Sequence, residues 1–239
     1  MLDRRWRSSV EQTLGPLGAA LRRLGVSADA LTVFGLLCSV VAAVLIASGH
    51  LGWAVVAVVT AGVSDLLDGV IARGSGQASP RGAFFDSVAD RVSDALLLGG
   101  VAWHLAGEGS HLPVLAFAVG AASMLVSYER AKAESIGVAA RGGLMERAER
   151  FVFLSVGLAF GVLVPVLWVM LVLTLFTVVD RFRRVYRAAD RPQRPHPRVP
   201  RAPRAGRPAL RDWWSSRRID RTAGRDRPRH RIARRARRP

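Results

Sequence analysis

Five aspartates in one short stretch, Asp65, Asp68, Asp86, Asp90 and Asp94, are the residues whose types and spacing could do chemistry. Asp65 and Asp68 stand three apart and Asp86 and Asp90 four apart, so each pair shares a face if its segment is helical. Hard divalent cations prefer carboxylate oxygens, and Mg2+ in particular is usually held by a few carboxylates plus substrate phosphates. Two such ions can clamp the attacking and leaving oxygens of an in-line displacement at phosphorus. The stretch Ser64–Asp94 also carries Arg73, Arg81 and Arg91, and it lies between strongly apolar runs. Ionisable groups in or beside membrane-spanning segments are costly and by default mark a functional site. The expected chemistry is phosphoryl transfer at a carboxylate metal site on a membrane surface.

The elements that must hold these side chains follow from the apolar pattern. The chain has 239 residues, is 50% hydrophobic and carries a formal net charge of +17. That charge is unevenly placed: residues 181–239 contribute +18 and residues 1–180 contribute −1. A nearly neutral, apolar body with a basic tail reads as an all-α integral membrane bundle rather than a soluble core. Six apolar runs stand at about Leu31–Ser48, Gly52–Val63, Val92–Leu105, Pro113–Val126, Phe151–Val164 and Pro165–Val179. Several fall short of the ~20 residues that cross a ~30 Å hydrocarbon layer. They reach that length if the second helix runs through Asp65 and Asp68 to Ala72, the third begins near Gly82, and the fourth continues to Glu134. Six transmembrane helices over 27–187 then bring the charged ends of three helices to one membrane face.

Residues 1–26 read as an amphipathic interfacial helix, with Trp6, Val10, Leu14, Leu17, Leu21 and Leu24 on one side and Arg22 and Arg23 on the other. Residues 188–239 read as a disordered Arg/Pro-rich cytoplasmic tail. Trp213 and Trp214 among arginines suit an anionic lipid bilayer, and no feature calls for a specific nucleic acid. The connections Arg73–Arg91 and Arg130–Arg150 are rich in arginine, whereas Gly49–Trp53, Gly107–Pro113 and the break at Pro165 contain no Lys or Arg. The positive-inside rule therefore puts both termini and the aspartate face in the cytoplasm of a multi-pass cell-membrane protein. Cys38 is the only cysteine, so no disulfide framework exists and a small buried hydrophobe is expected. Arg4, Arg5 and Arg7 precede a mixed polar segment, which is not a cleavable signal peptide. His50, His104 and His111 fall near the outer turns without metal-ligand spacing.

The full pattern is Asp65-x2-Asp68-Gly69-x2-Ala72-Arg73-x8-Gly82-x3-Asp86-x3-Asp90. It resembles the signature of the CDP-alcohol phosphotransferase family without gap or substitution. The resemblance implies six transmembrane helices, a homodimer and a cytoplasmic-facing site at the membrane boundary. It implies that Asp65, Asp68 and Asp86 ligate divalent metals, two ions of Mg2+ or Mn2+. Asp90 would join the metal site or act as general base on the acceptor hydroxyl. Gly69, Ala72, Arg73 and Gly82 would line the CDP site. Asp29 and Thr32 match a Pro-Asn/Asp-x-x-Thr element near the nucleotide, with Ala28 in place of the proline. A plain N-cap role for Asp29 is the alternative.

The acceptor must be read outside this signature. Ser127–Glu134 and Glu146–Arg150 resemble the SYxKARAE and ERxER elements of the actinobacterial phosphatidylinositol phosphate synthases, with Arg130 and Lys132 in swapped order. Arg91–Asp94 also resembles that subgroup, and Arg181 lies where it carries a further basic residue. Cations at Arg130, Lys132, Arg147, Arg150 and Arg181 suit an acceptor that is itself a phosphate monoester. Against this stands a structural reading in which Arg130, Lys132 and Arg147 serve orientation and Glu146 with Arg150 forms an i,i+4 surface pair. The implied activity is a CDP-diacylglycerol-dependent phosphatidyltransferase acting on inositol phosphate, releasing CMP and making phosphatidylinositol phosphate. The alternatives are a phosphatidylglycerophosphate synthase using glycerol 3-phosphate, and a non-enzymatic membrane anchor for the Arg-rich tail.

Overall fold

The structure, a computed structural model, describes residues 14–74, 79–107, 111–140 and 142–190. Trp6, Val10, and the tail from residue 191 with Trp213 and Trp214 lie outside the described residues. Among those described the chain is all helical: α1 (14–23), α2 (Ala28–Ala47), α3 (Leu51–Gly74), α4 (Pro80–Ala106), α5 (Leu112–Ser135), α6 (Arg147–Ala159) and α7 (Leu163–Ala189). Four of them, α2, α3, α5 and α7, are long and apolar enough to cross a membrane. The other two large-bundle helices fail for different reasons. α4 carries Arg81, Asp86, Asp90, Arg91 and Asp94 in its first half, and α6 has only 13 residues, about 20 Å of helix.

Local chemistry sets the boundaries. Ser27 caps α2, its hydroxyl accepting from the Ala30 backbone N–H at 3.1 Å. The N-cap role open to Asp29 therefore belongs to Ser27, and Asp29 sits inside the first turn. Ser79 caps α4 by accepting from Gly82 N at 3.0 Å, and Pro80 opens the helix, where its missing N–H costs nothing. The same tolerance corrects the break expected at Pro165. α6 ends at Ala159, the turn runs through Phe160–Val162, and Pro165 lies within the first turn of α7.

α2 packs on α3 and α4, α4 on α5, α5 on α7, α7 on α6, and α6 on α3. These neighbours close a ring of six helices around a core that includes Ile46, Val58, Leu97, Val101, Val119, Leu167 and Met170. Small residues let the helices approach: a side chain at Gly100 would meet the Ala43 backbone. The outward face is equally apolar, with Leu37, Val41, Trp53, Trp103, Phe117, Val172 and Phe176 exposed. A surface so uniformly apolar is matched to lipid rather than water. Cys38 is partly buried against the core. On α1, Gly18 lies against Val70 and Ile71 of α3, which seats this helix beside the aspartate end.

Candidate active site

α3 and α4 each present one face to a shared space. The period of 3.6 residues stacks Gly82, Asp86, Asp90 and Asp94 up one side of α4, opposite Asp65, Asp68, Gly69 and Ala72 of α3. One carboxylate oxygen from each of Asp65, Asp68 and Asp86 lies within 4.8 Å of the other two. Asp68 is buried, at 6% exposed, and its Oδ2 accepts from the Thr32 hydroxyl at 2.9 Å. Thr32 thus touches a carboxylate of the site rather than standing alone as a nucleotide contact. Asp86 Oδ1 is buried without a hydrogen-bond partner. A buried carboxylate oxygen left unsatisfied is costly unless something of positive charge meets it. Three oxygen donors of one chemical type, one of them unsatisfied, fit a hard divalent cation.

The glycines mark room along the same wall. A Cβ at Gly69 would sit 3.2 Å from the Arg73 guanidinium, so Arg73 lies over Gly69. A Cβ at Gly82 would sit 3.5 Å from Asp29 Oδ1. Asp29, Gly69, Arg73 and Gly82 therefore border the aspartates on α2, α3 and α4, and Ala72 is half-buried one turn beyond Asp68.

Asp90 lies beside Asp65 but outside the group of three mutually close oxygens. Its Oδ1 accepts from Nη1 of Arg147, which also donates to Asp65 Oδ1, and Arg147 lies over the Phe151 ring at 5.1 Å. Arg150 is buried and donates to Asp94 Oδ2 at 2.5 Å. The expected surface pair of Glu146 with Arg150 is not formed. Glu146 is the extended N-cap residue of α6, so its side chain leaves the helix face and accepts from Arg181 at 3.3 Å and from Gly142 N at 3.1 Å. Arg181, 2% exposed, also donates to Val126 O at 2.9 Å and Gly142 O at 3.3 Å. Met145 N donates to Thr177 Oγ1 at 3.2 Å, which with Arg181 ties the segment before α6 to α7.

The five basic residues expected around an acceptor phosphate thus fall into three places. Arg147 and Arg150 interlock with the α3 and α4 aspartates, and Arg181 lies beneath the segment before α6. Arg130 forms an exposed pair with Glu134 at 3.2 Å, and Lys132 is exposed on the last turn of α5. Asp94 is a site residue to which the sequence pattern gave no role, although it continues the four-residue spacing of Gly82, Asp86 and Asp90. Its pairing is testable. Asp94→Leu leaves Arg150 buried and uncompensated, and a loss of about 3–5 kcal/mol is expected. Adding Arg150→Met should recover most of the thermal stability in detergent; equal melting of the single and double variants would refute the pairing.

Comparison with known proteins bears on what this geometry does. The CDP-alcohol phosphatidyltransferase family profile matches residues 26–179. A protein of Mycobacteroides abscessus named phosphatidylinositol phosphate synthase is 39% identical over 189 residues, 75% of this chain and 86% of the relative. The crystal structure of Mycobacterium tuberculosis phosphatidylinositol phosphate synthase with CDP-DAG bound superposes with a TM-score of 0.65 at 28% identity. That match covers 74% of this chain and 96% of the other. The same enzyme in complex with manganese and citrate gives a TM-score of 0.66 at 28% identity, over 74% and 92% of the two chains. The aspartate wall of α3 and α4 and the membrane-scale helices around it agree with these likenesses: the chain belongs to the CDP-alcohol phosphatidyltransferase family.

Proposed function

We propose that this multi-pass membrane enzyme transfers the phosphatidyl group of CDP-diacylglycerol to a hydroxyl of inositol phosphate, releasing CMP and forming phosphatidylinositol phosphate. The observation that carries the reaction class is the convergence of Asp65, Asp68 and Asp86, with Asp86 Oδ1 buried and unpartnered. The identity of the acceptor is supported by the relatives that carry the synthase name and by Arg147, which lies at the aspartates.

Asp65, Asp68 and Asp86 would hold divalent cations, two ions of Mg2+ or Mn2+, with Asp90 joining them, and bound ions would supply charge to offset that developing on the diphosphate oxygens. Thr32 fixes the Asp68 carboxylate through its hydroxyl. Gly69, Ala72 and Gly82 leave the helix walls bare, so that the cytidine end of the donor lies flat between α2, α3 and α4, with Asp29 at its edge. Arg73 neutralises a phosphate. Asp90 takes the proton of the acceptor hydroxyl, whose oxygen attacks the phosphorus that carries the diacylglycerol. The phosphoanhydride bond breaks and CMP leaves with its electron pair. Arg147, beside Asp90, meets the acceptor phosphate, Arg130 and Lys132 line the exposed approach on α5, and the buried Arg150 and Arg181 hold α6 and the segment before it in place.

Six helices, α2–α7, span the bilayer in this reading, with α4 and α6 each flanked by two of the four more apolar ones. Both termini and the site face the cytoplasm, and α1 lies in the interface. The family resemblance supports a homodimer. The basic tail, outside the described residues, rests on anionic lipid.

Purified protein given CDP-diacylglycerol should turn over inositol phosphate at least about tenfold better than glycerol 3-phosphate, as expected where ring hydroxyls are recognised. Product from glycerol 3-phosphate alone would make the enzyme a phosphatidylglycerophosphate synthase. Unaltered function on deleting the aspartate chemistry, with loss on deleting residues 191–239, would leave only a membrane anchor.

A further inference from the structure

A basic side chain of the protein itself sits among the aspartates of the site. On one side Asp68 and Asp86 lie with Asp65, and Asp86 Oδ1 has no partner. On the other, Arg147 joins Asp65 to Asp90 across the gap between α3 and α4. The manner of that contact is informative. A single nitrogen, Nη1, serves both carboxylates, while Nε is buried and makes no hydrogen bond. An arginine used for its geometry presents two parallel N–H donors to one carboxylate. Here the fork is unused, and the guanidinium supplies charge to two carboxylates that also lie against each other. A charge held this way is exchangeable for another cation at the same carboxylates.

A place for the displaced guanidinium stands beside it. Asp94 gives its Oδ2 to Arg150, and its Oδ1 lies 3.9 Å from Arg147 Nε. The Phe151 ring, one turn along the same helix, supports the guanidinium face. Arg147 therefore has a route off Asp90 that leaves its charge compensated.

We propose that Arg147 is a tethered counter-ion, standing in for one cation of the carboxylate site and leaving Asp90 when an anionic acceptor arrives. The inference rests on the metal reading given above and adds an order to it. A first cation loads at Asp65, Asp68 and Asp86, whereas the half-site of Asp65 and Asp90 accepts a cation only as Arg147 withdraws. An acceptor phosphate that draws Arg147 away then binds with positive coupling to that second cation, and by linkage each tightens the other.

The test is Mn2+ binding by the full-length protein in detergent, read from the free-ion paramagnetic resonance signal rather than from turnover. Arg147→Gln should tighten the weaker class of bound Mn2+ about tenfold, as removal of a competing charge at contact distance predicts. Arg147→Lys, which keeps the charge on a shorter side chain, should give a smaller gain in the same direction. A purely structural ion pair predicts the opposite, because loosened carboxylates bind a cation less well. Equal or weaker Mn2+ binding by these variants overturns the proposal. Adding inositol phosphate, with free inositol as control, should tighten Mn2+ in the wild type and leave Arg147→Gln unchanged. If the variants bind tighter while inositol phosphate is without effect, the counter-ion role stands and the acceptor assignment falls.

Discussion

Replacing Asp68 with Asn is expected to lower CMP release from CDP-diacylglycerol by about 10³-fold or more, with Mn2+ binding lost in parallel. The substitution keeps the shape of the side chain and removes its charge. Asp68 is the most buried of the three converging carboxylates, and its second oxygen is already fixed by Thr32 at 2.9 Å. An amide there would turn an N–H toward Asp65 and Asp86 or, flipped, donate to the Thr32 hydroxyl, whose own proton then turns to Ala28 O, and in either case the charge is gone. Thr32→Val, which removes only the orienting hydroxyl, should cost about 10- to 100-fold. Asp90→Asn should also abolish turnover, yet retain the first Mn2+. Full activity in Asp68→Asn would end the assignment of this site.

The largest expected effect on stability lies away from the chemistry, where α2 crosses α4. A Cβ at Gly100 would fall 2.6 Å from Ala43 O and 2.9 Å from Ala43 Cα. Neither contact is with the end of a flexible side chain, so the helices themselves must separate. Their separation would open the core at Ile46, Leu97 and Val101, all fully or nearly fully buried. Gly100→Leu should therefore cost about 3 kcal/mol or more, read as a large drop in thermal unfolding in detergent. At Gly99, its neighbour, an added Cβ would meet nothing within 4 Å. Gly99→Leu should be nearly neutral, and equal effects at the two positions would refute the close crossing.

Much of this arrangement is legible in the order of the residues. The aspartates stand out because charge beside an apolar run is expensive, and their spacing of three and four residues already orients them on α3 and α4. The extension of α3 through Asp68 and of α5 to Ser135 follows from the length a membrane demands. What stays illegible depends on contacts distant in sequence. Arg147 meets Asp65 and Asp90 across 82 and 57 residues, and no local spacing announces that. Glu146 and Arg150 have the spacing of a helical pair, but the helix starts one residue too late for both to use it. Pro165 reads as a break because proline ends helices from within, whereas in the first turn it is tolerated.

The buried pair of Arg150 with Asp94 joins α6 to α4, the two helices that lack either the length or the apolar character to cross a bilayer unaided. In the six-span reading this has a consequence for biogenesis. As the chain leaves the ribosome, α4 presents five charged residues long before α6 has been synthesised. A charge carried into the bilayer opposes insertion by ~3 kcal/mol at its centre and by less toward the face where this site would lie. In that reading α4 gains compensation for Asp90 and Asp94 once α6 delivers Arg147 and Arg150. The pairs that join α6 to α4 would thereby also bear on the order in which the nascent protein settles in the membrane.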